Sequence, residues 1–400
     1  MKAKKHNTSV YNNTTTPKKT DMQVFVRLLN NKFRRMKSTC LFFMVLMFCF
    51  LFAECSSRSE SYLNGNIYIV DDINITDSVV GEKLDFDGAY FGMMKVCDSE
   101  MIFFHPRFPN FHYSCFNVKT GKHTANFFPT GAGPNEFNSV TPIIQTYKEE
   151  DNIKSFFVAI NEEKAGVFNI TKSIKEKTTV LDTVFELKWR DKSLRPFIFV
   201  FFEDDTNVLA KQSAARIAQK EHSYSLPRYL RINYKSNEIE RQYDIFTNSI
   251  TNKKAEDLNR DFFQTYDLIK PDKSKIAMGM SMLAQINILD VETGELKGFR
   301  ISGTPDFDYL TGSVDKIKNF YHQMAVDDNY IYLVYVDKKY IDIRESVDAN
   351  IVHVFDWHGN FCRKIFLDNP TDIIEIDSEN RILYGFNLSR EEIFQYKLSF

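Results

Sequence analysis

The residues most suggestive of a binding or reactive site form one glycine-rich string, Gly131-Ala-Gly-Pro-Asn-Glu-Phe137. Glycine-rich strings bind phosphate when Gly-Lys-Ser/Thr follows and a helix begins, but neither feature occurs here, and the spacing does not fit a dinucleotide fingerprint. Two glycines and a proline instead favour a tight, preset turn. Such a turn either satisfies backbone N–H groups with Glu136 or presents Asn135 and Glu136 to a ligand, and both interpretations stay open.

The familiar sequence patterns of catalysis and metal binding are absent. The chain contains no GxSxG, HExxH or CxxC, and its eight histidines do not fall at metal-ligand spacing. Paired carboxylates such as Asp327-Asp328 lie at predicted turns and are typical of solvated turn residues. Cys97, Cys115 and Cys362 read as small core residues. The sequence therefore predicts no catalytic residue, no metal ligand and no cofactor, although a site assembled from distant segments stays open.

Basic side chains concentrate in three long predicted loops. His105 and Arg107 lie in the first, Arg216 in the second and Arg344 in the third. If the fold brings these loops to one face, they could bind an anionic small molecule or a protein partner there. Ordinary solvated loops would have the same composition, so this remains one of two interpretations.

A recurring strand–turn–strand unit must position these residues. Clear copies are Phe116–His123, Ile288–Glu295 and Val354–Phe361, with weaker copies at Ile232–Ile239 and Phe168–Ser173. Glycine or asparagine at the turn supplies the positive φ that tight hairpins require. The copies recur every 50 to 65 residues or so, about the length of a four-stranded propeller blade with its loops. The 14% aromatic content also favours strands.

Counting strands outwards from these turns predicts an all-β, six-bladed β-propeller with four-stranded antiparallel blades. Three strands follow the fifth blade, at Thr371–Asp377, Arg381–Phe386 and Ile393–Leu398. The missing fourth strand is expected to be Asn66–Ile73, so that the last blade is closed from the N-terminus and no sheet edge is left open. A seven-bladed ring and a pair of β-sandwiches are the alternatives. In such a blade, the loop between its second and third strands shares a face with the connection to the next blade.

The string at 131–137, its place after the first blade and the apolar segment before the strands together resemble the TolB-like six-bladed propeller lipoproteins, which carry G-x-G-P-x-E-F at this point. The resemblance covers essentially the whole chain after Cys55. It implies a propeller fold and an exported location in a bacterial envelope. It implies little about molecular activity.

The N-terminal region is predicted to be an export signal. Residues 41–53 are thirteen consecutive apolar residues, too short to span a bilayer but suited to the h-region of a signal, and they are preceded by basic residues. The run ends at Cys55, followed by serines, which resembles a bacterial lipoprotein signal, although Glu54 stands where a small residue is usual. A plain secretory signal and an uncleaved anchor are the alternatives.

These features divide the chain into four segments: a basic extension at 1–35 that is either not translated or not part of the mature protein, a lipoprotein-type signal at 36–54, a tether at 55–65 and a propeller at 66–400. The whole chain has a net charge of −2. The first segment contributes +8, from nine Lys/Arg and one Asp, and Lys37 cancels Glu54 in the second, so the chain from Cys55 onwards has a net charge of −10. That acidity argues against a nucleic-acid partner.

The predicted function is an envelope-anchored binding or scaffold module, attached to the membrane through a lipid on Cys55 and located at the outer membrane. A protein or an anionic small molecule would bind on one propeller face. The rival prediction is a hydrolase or lyase that acts on glycans or other envelope substrates at the channel mouth.

Overall fold

The computed structural model describes residues 62–88, 92–105, 110–133, 135–159, 161–186, 197–212, 226–247, 262–343 and 347–400. They belong to one compact unit that begins at Ser61. Within these ranges, no helix is long and apolar enough to cross a membrane.

The described strands form six sheets, arranged as the six blades of a propeller. Three short strands precede the blades: β1 (Asn66–Val70), β2 (Asp77–Val79) and β3 (Glu82–Leu84). Blade 1 comprises β4 (Met93–Cys97), β5 (Glu100–Phe104), β6 (Phe111–Asn117) and β7 (His123–Pro129). Blade 2 comprises β8 (Thr146–Glu149), β9 (Asn152–Ala159), β10 (Lys164–Asn169) and β11 (Leu181–Glu186). Blade 3 comprises β12 (Phe197–Phe202), β13 (Asn207–Gln212), β14 (Arg228–Asn233) and β15 (Glu238–Asp244).

Blade 4 comprises β16 (Thr265–Ile269), β17 (Lys275–Met280), β18 (Gln285–Asp290) and β19 (Leu296–Ile301). Blade 5 comprises β20 (Lys318–Val326), β21 (Tyr330–Lys339), β22 (Ala349–Asp356) and β23 (Phe361–Thr371). Blade 6 comprises β24 (Ile373–Asp377), β25 (Ile382–Asn387) and β26 (Glu392–Lys397). Successive strands within each blade are antiparallel and are called A to D from the axis outwards. Helical elements are the α-helix α1 (Ile170–Glu176) and 3-10 turns at Phe307–Thr311 and Val314–Lys316. The prediction of an all-β, six-bladed propeller is confirmed.

Four of the five repeated turns have the predicted hairpin geometry. In each, an Asn or Asp side-chain oxygen accepts a backbone N–H two or three residues later, at 2.8 to 3.1 Å; the acceptors are Asn117, Asn233, Asp290 and Asp356. A residue with positive φ completes each turn, namely Gly121, Asn237, Gly294 and Gly359. Side chain and backbone together therefore specify these hairpins locally.

The fifth predicted turn, Phe168–Ser173, is wrong. There the Asn169 side chain accepts the N–H of Lys172 at 3.0 Å and caps helix α1 instead of closing a hairpin. An Asn side chain can serve either role, because both need an acceptor for backbone N–H groups two or three residues later.

The strand predicted to close the last blade is also wrong. Strand β1, which covers most of Asn66–Ile73, pairs in parallel with β19 as a fifth strand of blade 4. Strand β2 pairs in parallel with β23 of blade 5, and β3 pairs antiparallel with β26 as the fourth strand of blade 6. Residues 62–84, here called the N-terminal belt, thus run along the outer edges of consecutive blades.

The belt begins with buried side chains. Tyr62 and Leu63, assigned above to the tether, are buried against blades 3 and 4, and Tyr62 stacks on Phe307 at 4.6 Å between ring centroids. Asn64 donates its backbone N–H to the carbonyl of Ile245 at 2.9 Å. Packing by these two apolar side chains directs β1 to blade 4, and an alternating pattern alone cannot specify which sheet edge a strand joins.

Candidate functional site

The glycine-rich string folds back on itself. Gly133 donates its N–H to the carboxylate of Glu136 at 2.9 Å, and Glu136 returns its own N–H to the Gly133 carbonyl at 3.1 Å. A Cβ at position 131 would lie 2.0 Å from the Glu136 carboxylate, so a larger residue there would displace the carboxylate from this turn. The string is therefore a self-capped turn from blade 1 to blade 2, while Asn135 and Glu136 remain exposed.

Phe137 fixes this turn to the core between blades 1 and 2. Its ring is buried and packs on Phe128 and Phe157, with centroids at 5.5 and 5.3 Å. The Phe137 carbonyl contacts Nε2 of buried His112 at 2.9 Å, which joins the turn to the B–C loop of blade 1. The two segments therefore share the face formed by the B–C loops and the D-to-A connections, called the B–C face.

The remaining predicted ligand residues are only partly described. His105 is half-buried at the start of the blade 1 B–C loop and donates its backbone N–H to the His112 carbonyl at 3.2 Å. The predictions for Arg107, Arg216 and Arg344, and that of lipidation at Cys55, fall outside the described residues. The described residues thus place His105, Asn135 and Glu136 on one face.

The described cavity at the propeller axis opens on the opposite side, called the A–B face. It has a volume of about 490 Å³, is open to solvent and is lined by the A–B hairpins and neighbouring strands of blades 1, 2, 4, 5 and 6. Its charged lining comprises six carboxylates and two lysines: Asp98, Asp327, Asp328, Glu375, Asp377, Glu379, Lys95 and Lys148. A pocket formed where several blades converge is a common ligand-binding arrangement in closed β folds.

A six-bladed ring and the string at 131–137 agree with the comparison to known families. Residues 89–379 match the model of the TolB-like 6-blade propeller-like family. The chain belongs to this family. The matched range includes the glycine-rich string and most of the ring, but it excludes the N-terminal belt, which lies entirely before residue 89.

Two solved structures are similar to this TolB-like propeller at low sequence identity. A Bacteroides fragilis protein whose name describes it as exported is 11% identical, with a TM-score of 0.48, covering 82% of this chain and 98% of its own. A DUF4221-family member from Bacteroides vulgatus is 10% identical, with a TM-score of 0.49, covering 85% and 98%. No curated protein is similar enough in sequence to count as a relative.

Several carboxylates at the channel mouth of this TolB-like propeller already have structural partners. Asp327 accepts the N–H groups of Asn329 and Tyr330 at 2.8 and 2.7 Å, and Asp377 accepts the N–H of Asn380 at 3.0 Å. These contacts agree with the prediction that Asp327 is a turn residue, although its side chain is buried rather than solvated. Such carboxylates stabilise the hairpins that shape the mouth.

Lys95 and Glu375 form the buried part of the cavity wall. Their Nζ and Oε1 atoms lie 2.6 Å apart, and the side chains are 11% and 7% exposed. Burial raises the pKa of Glu375, and the positive charge of Lys95 acts in the opposite direction. The pair joins β24 of blade 6 to β4 of blade 1, so it crosses the junction where the ring closes.

The opposite wall of the mouth is aromatic and cationic. Tyr147 lines the cavity, and the ammonium of Lys273 lies 4.2 Å from its ring centroid and 4.5 Å from that of Phe202. Burial lowers the pKa of Lys273. The mouth is therefore asymmetric, with its carboxylates on blades 5, 6 and 1 and with Tyr147 and Lys148 of blade 2 on the side where Lys273 contacts Tyr147.

This cavity leaves no local sequence motif, because its residues are single side chains from segments far apart in the chain. Lys95 and Glu375 each stand in an ordinary strand pattern. The available signal was positional: acidic residues recur at the first hairpin of blades 1, 5 and 6, at Asp98, Asp327 and Asp377. Within the described ranges, no three His, Cys, Asp or Glu side chains converge as a metal site requires.

Proposed function

We propose that this TolB-like propeller is an exported, lipid-anchored binding module of the bacterial envelope, with its ligand site at the axial mouth of the A–B face. The observation that carries this proposal is the 490 Å³ cavity, which is lined by residues of five blades. The apolar run at 41–53 and the Cys55 that follows it support export and anchoring.

The charges of the mouth favour a ligand with a cationic group. Six carboxylates line it against two lysines, and Asp98, Asp328 and Glu379 are exposed to solvent there. A ligand entering from this side would meet these three first, and it would reach the Lys95–Glu375 pair only at the buried end.

Binding is favoured over catalysis because the three sheltered carboxylates of the mouth are already occupied, which leaves the solvent-exposed Asp98, Asp328 and Glu379 for contact with a ligand. Asp327 and Asp377 hold hairpin N–H groups, and Glu375 is paired with Lys95. A general acid–base pair requires carboxyl groups that are available to the substrate. A hydrolase or lyase acting on envelope glycans is the rival, and measured turnover that disappears on one mouth substitution would favour it.

The test is a binding measurement on the two faces. Ligand would be identified by mass spectrometry after co-purification from membranes, and its affinity would be compared between the wild type and the double variant Asp328→Asn/Glu379→Gln. We expect at least a tenfold loss, because two charge-assisted contacts contribute roughly 1.5 kcal/mol or more. Glu238→Gln, an exposed carboxylate on β15, is the matched control and should bind like the wild type.

The B–C face is the competing location. His105, Arg107, Asn135, Glu136, Arg216 and Arg344 remain its candidate residues for an anionic ligand or a protein partner. If charge reversal at Arg107 or Arg344 abolishes binding while the mouth variant binds normally, the ligand site lies on the B–C face and the proposed site is wrong.

A further inference from the structure

Exposed apolar side chains are concentrated on the N-terminal belt. Of the nine large apolar side chains that the described residues expose, four lie in these 23 residues: Tyr68, Ile69, Ile75 and Val80. Phe366 of β23, paired in register with Ser78 of β2, is also exposed and extends the surface. Single exposed apolar residues are ordinary, but a run along one edge marks an interaction surface.

Folding of the belt does not require apolar side chains at Ile69 and Val80. Ile67 and Val70 pack inward against the cores of blades 4 and 5, and Tyr68 stacks on Phe299 at 5.5 Å. Ile69 and Val80 are 56% and 81% exposed. A polar residue at either position would leave the inward contacts intact, so the apolar character needs another explanation.

Two of the four carboxylates of the belt are paired with basic side chains of β23. Asp72 pairs with Lys364 at 2.7 Å, and Asp77 pairs with Arg363 at 3.1 Å. Asp71 and Glu82 have no ion pair within the described residues and Lys83 is paired with Glu392, so the belt offers no net positive charge and its contact with a bilayer would rest on its apolar side chains.

The belt also lies next to the predicted anchor in the chain. Cys55 precedes the buried residue Tyr62 by seven positions, which an extended chain spans in at most about 25 Å. We propose that the N-terminal belt is the surface by which the propeller contacts the lipid bilayer. This inference rests on the anchoring part of the proposed function, since the tether holds the belt near the membrane.

A tethered surface does not need high affinity of its own. A short linker gives an effective concentration in the millimolar range, so a weak apolar contact is occupied most of the time. Half-burying an isoleucine-sized side chain in the interface changes such an equilibrium roughly tenfold. The contact would fix which propeller face is accessible, rather than provide the attachment.

The test uses the full chain on vesicles of phosphatidylethanolamine and phosphatidylglycerol. Amide hydrogen exchange would be compared between the lipidated protein on vesicles and the Cys55→Ser protein in solution. We expect the amides of 66–70 and 75–80 to exchange about tenfold more slowly on vesicles, with β15 unchanged. In the lipidated protein, Ile69→Ser should remove most of this protection. Ile239→Ser, which is 46% exposed on β15, is the matched control and should retain it.

Each outcome separates the anchor from the surface. A lipidated, membrane-bound protein whose belt exchanges as it does in solution overturns this inference and leaves the anchor in place. A wild-type protein that carries no lipid overturns the proposed anchor. Whether the belt contacts the bilayer is then decided by sedimenting Cys55→Ser protein with the same vesicles and testing whether its binding depends on Ile69. Belt protection that appears in solution and disappears on dilution indicates strand pairing between two copies, and it overturns the inference.

Discussion

Removing one partner of the Lys95–Glu375 pair should destabilise the ring strongly. The side chains are 11% and 7% exposed and lie at the junction of blades 6 and 1, so Lys95→Met leaves a carboxylate buried without its counter-ion. The expected loss in the free energy of unfolding is about 3–5 kcal/mol. The double variant Lys95→Met/Glu375→Leu removes both charges and should recover most of that loss, because no unpaired charge remains.

Urea unfolding followed by circular dichroism measures the free energy of unfolding of the wild type and each variant. An unchanged dependence of that free energy on urea concentration is the check that the unfolded state is the same. Lys83→Met is the matched control: it breaks the Lys83–Glu392 pair, also in blade 6 but 48% and 31% exposed, and should cost less than about 1 kcal/mol. Single losses at Lys95 below 1 kcal/mol, or a double-variant loss equal to the sum of the single losses, would refute the reasoning.

The same variant has a pH signature with a definite sign. Burial already raises the pKa of Glu375, and loss of Lys95 should raise that pKa further. A carboxyl whose pKa is higher in the folded state than in the unfolded state loses stability as pH rises. Lys95→Met should therefore be closest to the wild type at acidic pH and weakest above neutrality. A penalty that is independent of pH would show that the lysine acts through packing rather than charge.

Two further predictions concern the blade interiors. His353 is 1% exposed, its Nε2 has no described partner, and burial holds its pKa well below the usual value; the folded state therefore loses about 1 kcal/mol between pH 6.5 and 5.5. His353→Phe should remove this pH dependence of the free energy of unfolding, measured by urea titrations across that range. The control is His358→Phe, at an exposed turn, and an equal change in that variant would contradict the assignment. Phe137→Ala should lower the free energy of unfolding by about 3–5 kcal/mol in the same urea titrations. The control Phe366→Ala, at an exposed position, should lower it by less than about 1 kcal/mol. Equal losses would mean that the string does not anchor the interface of blades 1 and 2.

The glycine-rich string shows how far local sequence can predict a site. Two glycines and a proline predicted a tight turn between blades, and the turn has that place and shape. Whether Glu136 caps backbone or contacts a ligand could not be separated from sequence, because both need an exposed carboxylate. Its 2.9 Å contact with Gly133 gives the first role a definite geometry.

The sequence by itself determined the blades. Alternation with a period of two identifies strands, and an Asn or Asp followed by Gly closes a hairpin through contacts within four residues, so Asn117, Asp290 and Asp356 could be assigned without a fold. Only the tertiary structure decided which edge the strand at Asn66 joins and which charged groups meet at the axis. Edge pairing and the Lys95–Glu375 contact join residues far apart in the chain, and their energies depend on burial that no local pattern encodes.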